Sequence, residues 1–287
     1  MPRKRRHTDN YVTGTSVRDT IQQANILGIG VHALTMHTAV DAIATAVLSR
    51  QKGYICVAGV HGIMEARRDT SLARIFRDAF LVVPDGMPTV WMGRSQGLPM
   101  TRLFGPDLML AILHEPRLVH AKHFLYGGAP GVAKQLEQSL LLKYPELRIV
   151  GSYCPPFRPL SIAEQSTLLD EVRHLQPDII WIGISTPKQE EFMAEYLPRL
   201  STTLMIGVGA AFDFHTGRIR DSPAWVKQLG LQWMHRLAQD PLRLWRRYLF
   251  NNPPFAWNAM LQLLRLKKFT LDSVEELRMD IRNTGSV

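Results

Sequence analysis

Short, unbroken apolar runs recur along this chain, each followed by a longer stretch whose apolar residues return with a helical period. Runs at 26–29 (ILGI), 54–60 (YICVAGV), 79–83 (AFLVV), 123–126 (HFLY), 148–152 (RIVGS), 178–184 (DIIWIGI) and 203–208 (TLMIGV) read as strands. Amphipathic stretches at 38–50, 131–143, 161–175 and 187–197 lie between them and read as helices. Strands without polar alternation are buried on both faces, and helices between them make the crossovers of parallel pairing. The pattern therefore predicts an α/β fold, a doubly wound and largely parallel sheet covered on both sides.

Ligands of such sheets bind in the crevice outside the carboxyl ends of the strands. Several strands here end in turn residues ahead of a helix, which puts Asp85, Gly127, Gly128 and Gln189 on one rim. In LVVPDGMPTVWMGRSQG (81–97), Asp85 sits between Pro84 and Gly86. A carboxylate there can take a proton from an attacking hydroxyl, or it can cap the helix that follows. In LYGGAPGVAKQL, Gly127 and Gly128 join a strand to a helix. Backbone N–H groups at such a helix start can cradle a phosphate, and tight-turn geometry explains the glycines equally well. The spacing is not G-x-G-x-x-G, and no ribose-binding acid follows about 20 residues on, so the nicotinamide fingerprint is weak. Gln189 falls in the first turn of a helix opened by Pro187, as a pocket residue or a cap, and Asp213 of FDFH stands beside a strand end.

The net charge of +9 is unevenly placed. Residues 1–7 contribute +4 and residues 218–250 contribute +5, so the rest is close to neutral. After residue 217 the strand signal stops and Trp225, Trp233, Trp245 and Trp257 appear with interleaved arginines. Asp240-Pro241 has the form of an N-cap and first-turn proline. Beyond it Leu242, Trp245 and Leu249 share a face, while Arg243, Arg246 and Arg247 form a basic stripe at i, i+3, i+4. FAWNAMLQLLRLKK is apolar on a broad face and ends in lysines, as an interfacial helix does. The chain divides into a basic, flexible N-terminal segment (1–22), an α/β body (23–217), a basic helical appendage (218–268) and a tail (269–287).

Apolar runs stay well short of the roughly 18 residues of a spanning helix. The start, MPRKRRHTDN, lacks the apolar core of a secretory signal. Cys56 and Cys154 lie far apart in apolar surroundings, which implies packing in a reducing compartment. His114, His120 and His123 have no HExxH-like arrangement, and no D-x-D pair occurs, so a metal site is not expected. A diphosphate would then be held by cationic side chains, and guanidiniums pair with phosphate bidentately.

In order, VVPDGMPTVWMGR, TRLFGPDLM, FLYGGAPGVAKQL, YPELRIVGSYCPPF, PDIIWIGISTPKQEEF and IGVGAAFDFHTGRIRDSPAWVKQLGLQWMHRLAQDPLRLWRRYL resemble the WecG/TagA/CpsF glycosyltransferases (glycosyltransferase family 26). The resemblance runs from about residue 26 to 250. It implies a Rossmann-like body and metal-independent, inverting transfer of a sugar from a UDP-sugar to a polyprenyl-diphosphate-linked saccharide. It implies no cofactor, a peripheral place on the cytoplasmic membrane surface, and a role in bacterial surface polysaccharide synthesis. Sugars of the N-acetylmannosamine, N-acetylmannosaminuronic acid and glucose types are all compatible with it.

On that resemblance Asp85 matches the general base, and Arg102 the arginine before the G-x-D-L element that holds Asp107. Gln189 and Asp213 match pocket positions. Arg236, Arg243 and Arg246 or Arg247 match the arginines that hold the UDP phosphates. The chain departs from the family at a T-x-N turn, where Ala58 and Val60 stand and His61 is the nearby substitute. The apolar tail surface is compatible with a homo-oligomer, and no nucleic-acid partner is expected. Two rivals share parts of this pattern: a nicotinamide-dependent oxidoreductase, and a non-enzymatic basic protein that binds membrane or nucleic acid. The second leaves the ordered PDG, GGAPG and PKQE turns without a purpose.

Overall fold

A computed structural model describes residues 17–271. The basic start (1–16) and the last residues of the tail (272–287) lie outside the described residues.

The chain runs β1 (Gln23–Ile26), β2 (Ile29–His32), α1 (Met36–Leu48), β3 (Gly53–Ala58), α2 (Val60–Ala66), α3 (Thr70–Asp78), β4 (Leu81–Pro84), α4 (Met87–Ser95) and α5 (Gly105–Leu113). It continues through β5 (Lys122–Gly127), α6 (Val132–Lys143), β6 (Arg148–Tyr153), α7 (Ile162–Leu175), β7 (Ile179–Gly183), α8 (Lys188–Tyr196), β8 (Leu204–Gly207) and α9 (Ala211–His215). Three helices close the described residues: α10 (Ala224–Gln228), α11 (Gln232–Gln239) and α12 (Pro241–Leu263).

Six strands form one sheet in the order β4-β3-β8-β7-β5-β6, and every pairing is parallel. Alternate side chains feed two separate cores. Cys56, Val82, Ile180, Ile182 and Met205 meet α2, α3, α7 and α8 on one face. Ile55, Leu81, Val83, Leu125, Trp181 and Ile206 meet α1, α5, α6 and α9 on the other. This is the doubly wound sheet that the strand composition predicts. Local signals fix the helix starts: Ser161 and Glu164 form a capping box on α7, and Asp240 accepts from the Arg243 N–H to open α12.

Two strand readings change. The run at 26–29 is not one strand, because Leu27 (φ 56) and Gly28 (φ 95) form a two-residue turn between antiparallel β1 and β2. Positive φ at both turn positions matches the right-handed twist of the flanking strands. The Gly28 N–H donates to Asn25 Oδ1 at 2.8 Å, which holds the turn. The strand read at 54–60 ends at Ala58, and Val60 already opens α2.

The helical tail docks closely against the body. Leu244, Asn251, Phe255 and Ala259 form the buried stripe of α12. Removing Leu244 and Phe255 from water stabilises this docking by roughly 1.5–3 kcal/mol each. Arg68 of the loop after α2 donates to Asn251 Oδ1 at 2.8 Å and to the Phe250 carbonyl at 2.9 Å. At the far end Gln262 bonds both the Leu27 N–H and the Asn25 carbonyl of the β1–β2 turn. α12 thus packs against α2 and α4, the helices that follow the carboxyl ends of β3 and β4.

Candidate active site

Asp85 follows directly on β4. Its N–H donates to the Ala58 carbonyl at 3.0 Å, and Leu103 N–H donates to the Pro84 carbonyl at 2.8 Å, so the backbone on both sides is fixed. Gly86 (φ 91) then turns the chain into α4, and no side chain caps that helix. The carboxylate of Asp85 is therefore not engaged in capping. About a third of it, 33%, remains accessible.

Arginines converge on it from three segments. Arg102, in the loop before α5, brings Nε to 4.0 Å from Oδ1 of Asp85. Arg236 comes from α11 and Arg247 from α12, and both act electrostatically on the same carboxylate. Burial raises the Asp85 carboxyl above its ordinary value; Arg102, then Arg236 and Arg247, pull it back, and Asp107 opposes them. Arg102 also donates through Nη2 to Gln232 of α11, which ties the appendage to the residues around Asp85. Gln232 Nε2, Arg236 Nε and Arg247 Nε are buried donors without a hydrogen-bond partner among the described residues. A buried donor left unpaired costs free energy, and these three sit on Arg236, Arg247 and the Gln232 that Arg102 holds, so the segments around Asp85 suit an acceptor of negative charge.

The other predicted residues fall into distinct groups. His61, in the first turn of α2, has Nδ1 3.1 Å from Asn251 Nδ2 and 3.5 Å from Glu65 Oε1. Burial, then Arg247, holds its imidazole down to about 4, so it is neutral near pH 7 and joins α2 to α12. Gly59, one residue past Ala58, passes close to Asp85: a Cβ there would lie 3.2 Å from the Asp85 carbonyl and 3.5 Å from Oδ2. Ala58 is buried beside Pro84.

Gly127 and Gly128 have a packing reason. A Cβ on Gly127 would meet the Gly183 carbonyl at 2.6 Å, and the Gly128 N–H already donates to that oxygen at 2.9 Å. Gln189 is buried beneath the rim; its Oε1 accepts from Gly209 N–H at 3.1 Å and so shapes the turn after β8. Asp213 pairs with Arg218 (3.7 Å) in α9. Arg243 pairs with Asp240 at 2.5 Å and Arg246 lies over the Trp245 ring at 5.3 Å; both are exposed on the outer side of α12. Of the three-arginine stripe, only Arg247 turns inward.

The sequence reading passed over Glu190. It is fully buried in α8 and accepts from Gln189 Nε2 at 2.9 Å and Thr186 Oγ1 at 3.0 Å, while Oε2 has no partner among the described residues. Burial raises it to about 7, and Arg247 counts among the groups that offset this. Arg247 thus feels two carboxyl groups, Asp85 and Glu190. Gln189 is oriented by Glu190, which is how its carbonyl oxygen comes to face Gly209.

Among the described residues, no group of three or more His, Cys, Asp or Glu gathers to hold a metal ion. His123 is instead buried against Trp181, whose Nε1 donates to Nδ1 at 3.2 Å. Two hollows lie elsewhere, one beside Gly30 and Arg77 and one at the amino ends of the strands near Lys52 and Asp78. Neither touches the arginine-lined crevice.

A carboxylate ringed by guanidiniums at the carboxyl end of a parallel sheet suits the transfer of a group away from an anionic leaving group. Comparison with known proteins gives that arrangement a family: the model of the glycosyl transferase WecG/TagA/CpsF family matches residues 24–269. The chain belongs to this family. It is a glycosyltransferase of the hexosyltransferase kind. An N-acetylglucosaminyldiphosphoundecaprenol N-acetyl-beta-D-mannosaminyltransferase of Bacillus subtilis (strain 168) is 25% identical over 205 residues, covering 71% of this chain and 77% of the relative. A protein with the same name from Bacillus spizizenii (strain ATCC 23059 / NRRL B-14472 / W23) is 26% identical over 212 residues, covering 73% and 80%. As a WecG/TagA/CpsF transferase, the chain brings Arg236 and Arg247 of its helical tail within electrostatic reach of its strand-end carboxylate.

Proposed function

We propose that this transferase moves an N-acetylmannosamine-, N-acetylmannosaminuronic acid- or glucose-type sugar from UDP to a polyprenyl-diphosphate-linked saccharide, with inversion at the anomeric carbon. The observation that carries the reading is Asp85 under the electrostatic influence of Arg102, Arg236 and Arg247, with unpaired buried donors on Arg236 and Arg247 themselves. The names of the Bacillus relatives support an N-acetylmannosaminyl donor and a lipid-diphosphate acceptor.

In this mechanism Asp85 removes the proton of the acceptor hydroxyl as its oxygen attacks the anomeric carbon. The bond from that carbon to the diphosphate oxygen breaks on the opposite face, and the electron pair leaves with UDP. Arg102, Arg236 and Arg247 meet the charge that develops on the diphosphate. Fixed cations in a water-poor crevice are worth more there than in solvent. Arginine does this work without a metal ion, and His61, neutral and bonded to Asn251, keeps α12 and hence Arg247 in place. A base so placed contributes about 10²–10⁴-fold to the rate.

The acceptor's lipid sets the location. No described helix is long and apolar enough to cross a membrane. Trp245, Leu242 and Leu249 are exposed on the outer face of α12, beside Arg243 and Arg246. We assign this face to the inner surface of the cell membrane, where apolar side chains enter the interface and arginines meet anionic headgroups. Incubating the protein with a panel of UDP-sugars and a synthetic lipid-diphosphate saccharide, and following UDP release, tests the reading. Acceptor-dependent UDP release from one donor supports it; none from any member of the panel speaks against it.

A further inference from the structure

Two of the three guanidiniums that act on Asp85 lie over aromatic rings. Arg102 lies over the Phe104 ring at 4.4 Å, and Arg236 over the Phe214 ring at 5.8 Å. The two rings meet edge to face, 5.1 Å between centroids and 88° between planes. Phe104 is buried just ahead of α5, and Phe214 lies in α9. Those helices are joined where His215 Nε2 lies 3.1 Å from the Pro106 carbonyl.

We propose that Phe104 and Phe214 are positioning residues, a perpendicular ring pair that carries Arg102 and Arg236 on its faces and leaves Arg236 Nε, with the N–H groups of Arg102 not given to Gln232, to an anionic diphosphate. The physical reason lies in how a buried cation can be steadied. A carboxylate counter-ion would occupy the guanidinium N–H fork. A ring face attracts the charge without consuming a donor. Arg236 Nε is buried without a partner, as such an arrangement requires. In the AFDF motif, this gives the role to the second phenylalanine rather than to Asp213, which pairs with Arg218.

The inference rests on the diphosphate reading above, and binding of UDP and of inorganic pyrophosphate by calorimetry separates the two. Wild-type protein that binds neither overturns both. Given wild-type binding, Phe214→Met and Phe104→Leu are expected to bind each ligand roughly 3- to 30-fold more weakly while unfolding cooperatively. Phe214→Tyr, which restores a ring face, is expected to bind within about twofold of wild type. Wild-type affinity in Phe214→Met and Phe104→Leu overturns the inference. So does equal weakening in Phe214→Tyr and Phe214→Met, since bulk rather than a ring face would then be at work. Should Phe214→Met fail to fold, Phe104→Leu paired with Phe104→Tyr decides by the same comparison.

Discussion

Arg102 stands between the body and the tail: its Nε is 4.0 Å from Oδ1 of Asp85, and its Nη2 donates to Gln232 Oε1 of α11. One guanidinium therefore sets the basicity of the proposed base and anchors the helices that supply Arg236 and Arg247.

That link predicts a pH dependence. Burial holds the Asp85 carboxyl above its ordinary value and Arg102 is the largest influence pulling it down. Only the ionised form accepts a proton, so turnover falls as pH drops, with its acid limb above the value of about 3.9 for an exposed aspartate. Arg102→Gln removes the lowering influence, and the limb moves to higher pH. A pH–rate profile whose acid limb stays in place in that variant contradicts this role.

The inner and outer arginines of α12 are expected to separate by function. Arg247→Ala weakens UDP binding roughly 10- to 100-fold, the size of a lost charge-assisted contact. Its binding to anionic vesicles stays near wild type. Arg246→Ala behaves oppositely, losing about fivefold in vesicle co-sedimentation, the worth of one surface cation, with UDP affinity unchanged. Both variants losing both properties together would dissolve the distinction.

Glu190 predicts a stability profile. Its folded value of about 7 lies above the roughly 4.3 of an unfolded glutamate, so the folded state binds the proton more tightly. The associated stability is complete below about pH 4.3, is lost as pH rises to about 7, and is flat beyond. Glu190→Gln carries no such proton, so relative to wild type it gains on the order of 3 kcal/mol between about pH 4 and about pH 8. Denaturant unfolding across that range checks it, and parallel profiles refute it.

Gly127 predicts a purely structural effect. With φ 130 and a Cβ that would stand 2.6 Å from the Gly183 backbone, alanine fits only if β5 parts from β7. Gly127→Ala is expected to cost about 3 kcal/mol or more in urea unfolding. A loss below about 1 kcal/mol would return Gly127 to the candidates for direct phosphate contact.

The sheet was legible because parallel strands buried on both faces carry their signature locally, as IIWIG of β7 does. The β1–β2 turn was not, since Leu27 puts an apolar side chain where a turn residue is expected and ILGI then looks continuous. The rank of the arginines was hidden in a stripe read without its neighbours. Arg247 lies three residues after Leu244 and four before Asn251, the buried stripe of α12, and that spacing was the available signal for its inward turn. Glu190 gave no sign, because KQEE at a helix start reads as a solvated face. The packing of α8 against β8, β3, β7 and α3 is what buries it.

The account stands on Asp85 as the base, and Asp85→Asn tests it most directly, because the amide keeps the shape and cannot take the proton. Steady-state transfer from the UDP-sugar that supports wild-type turnover, measured beside UDP affinity, is the measurement. The account predicts a loss of about 10²–10⁴-fold in kcat with UDP affinity retained or improved. Turnover within a few-fold of wild type would contradict it.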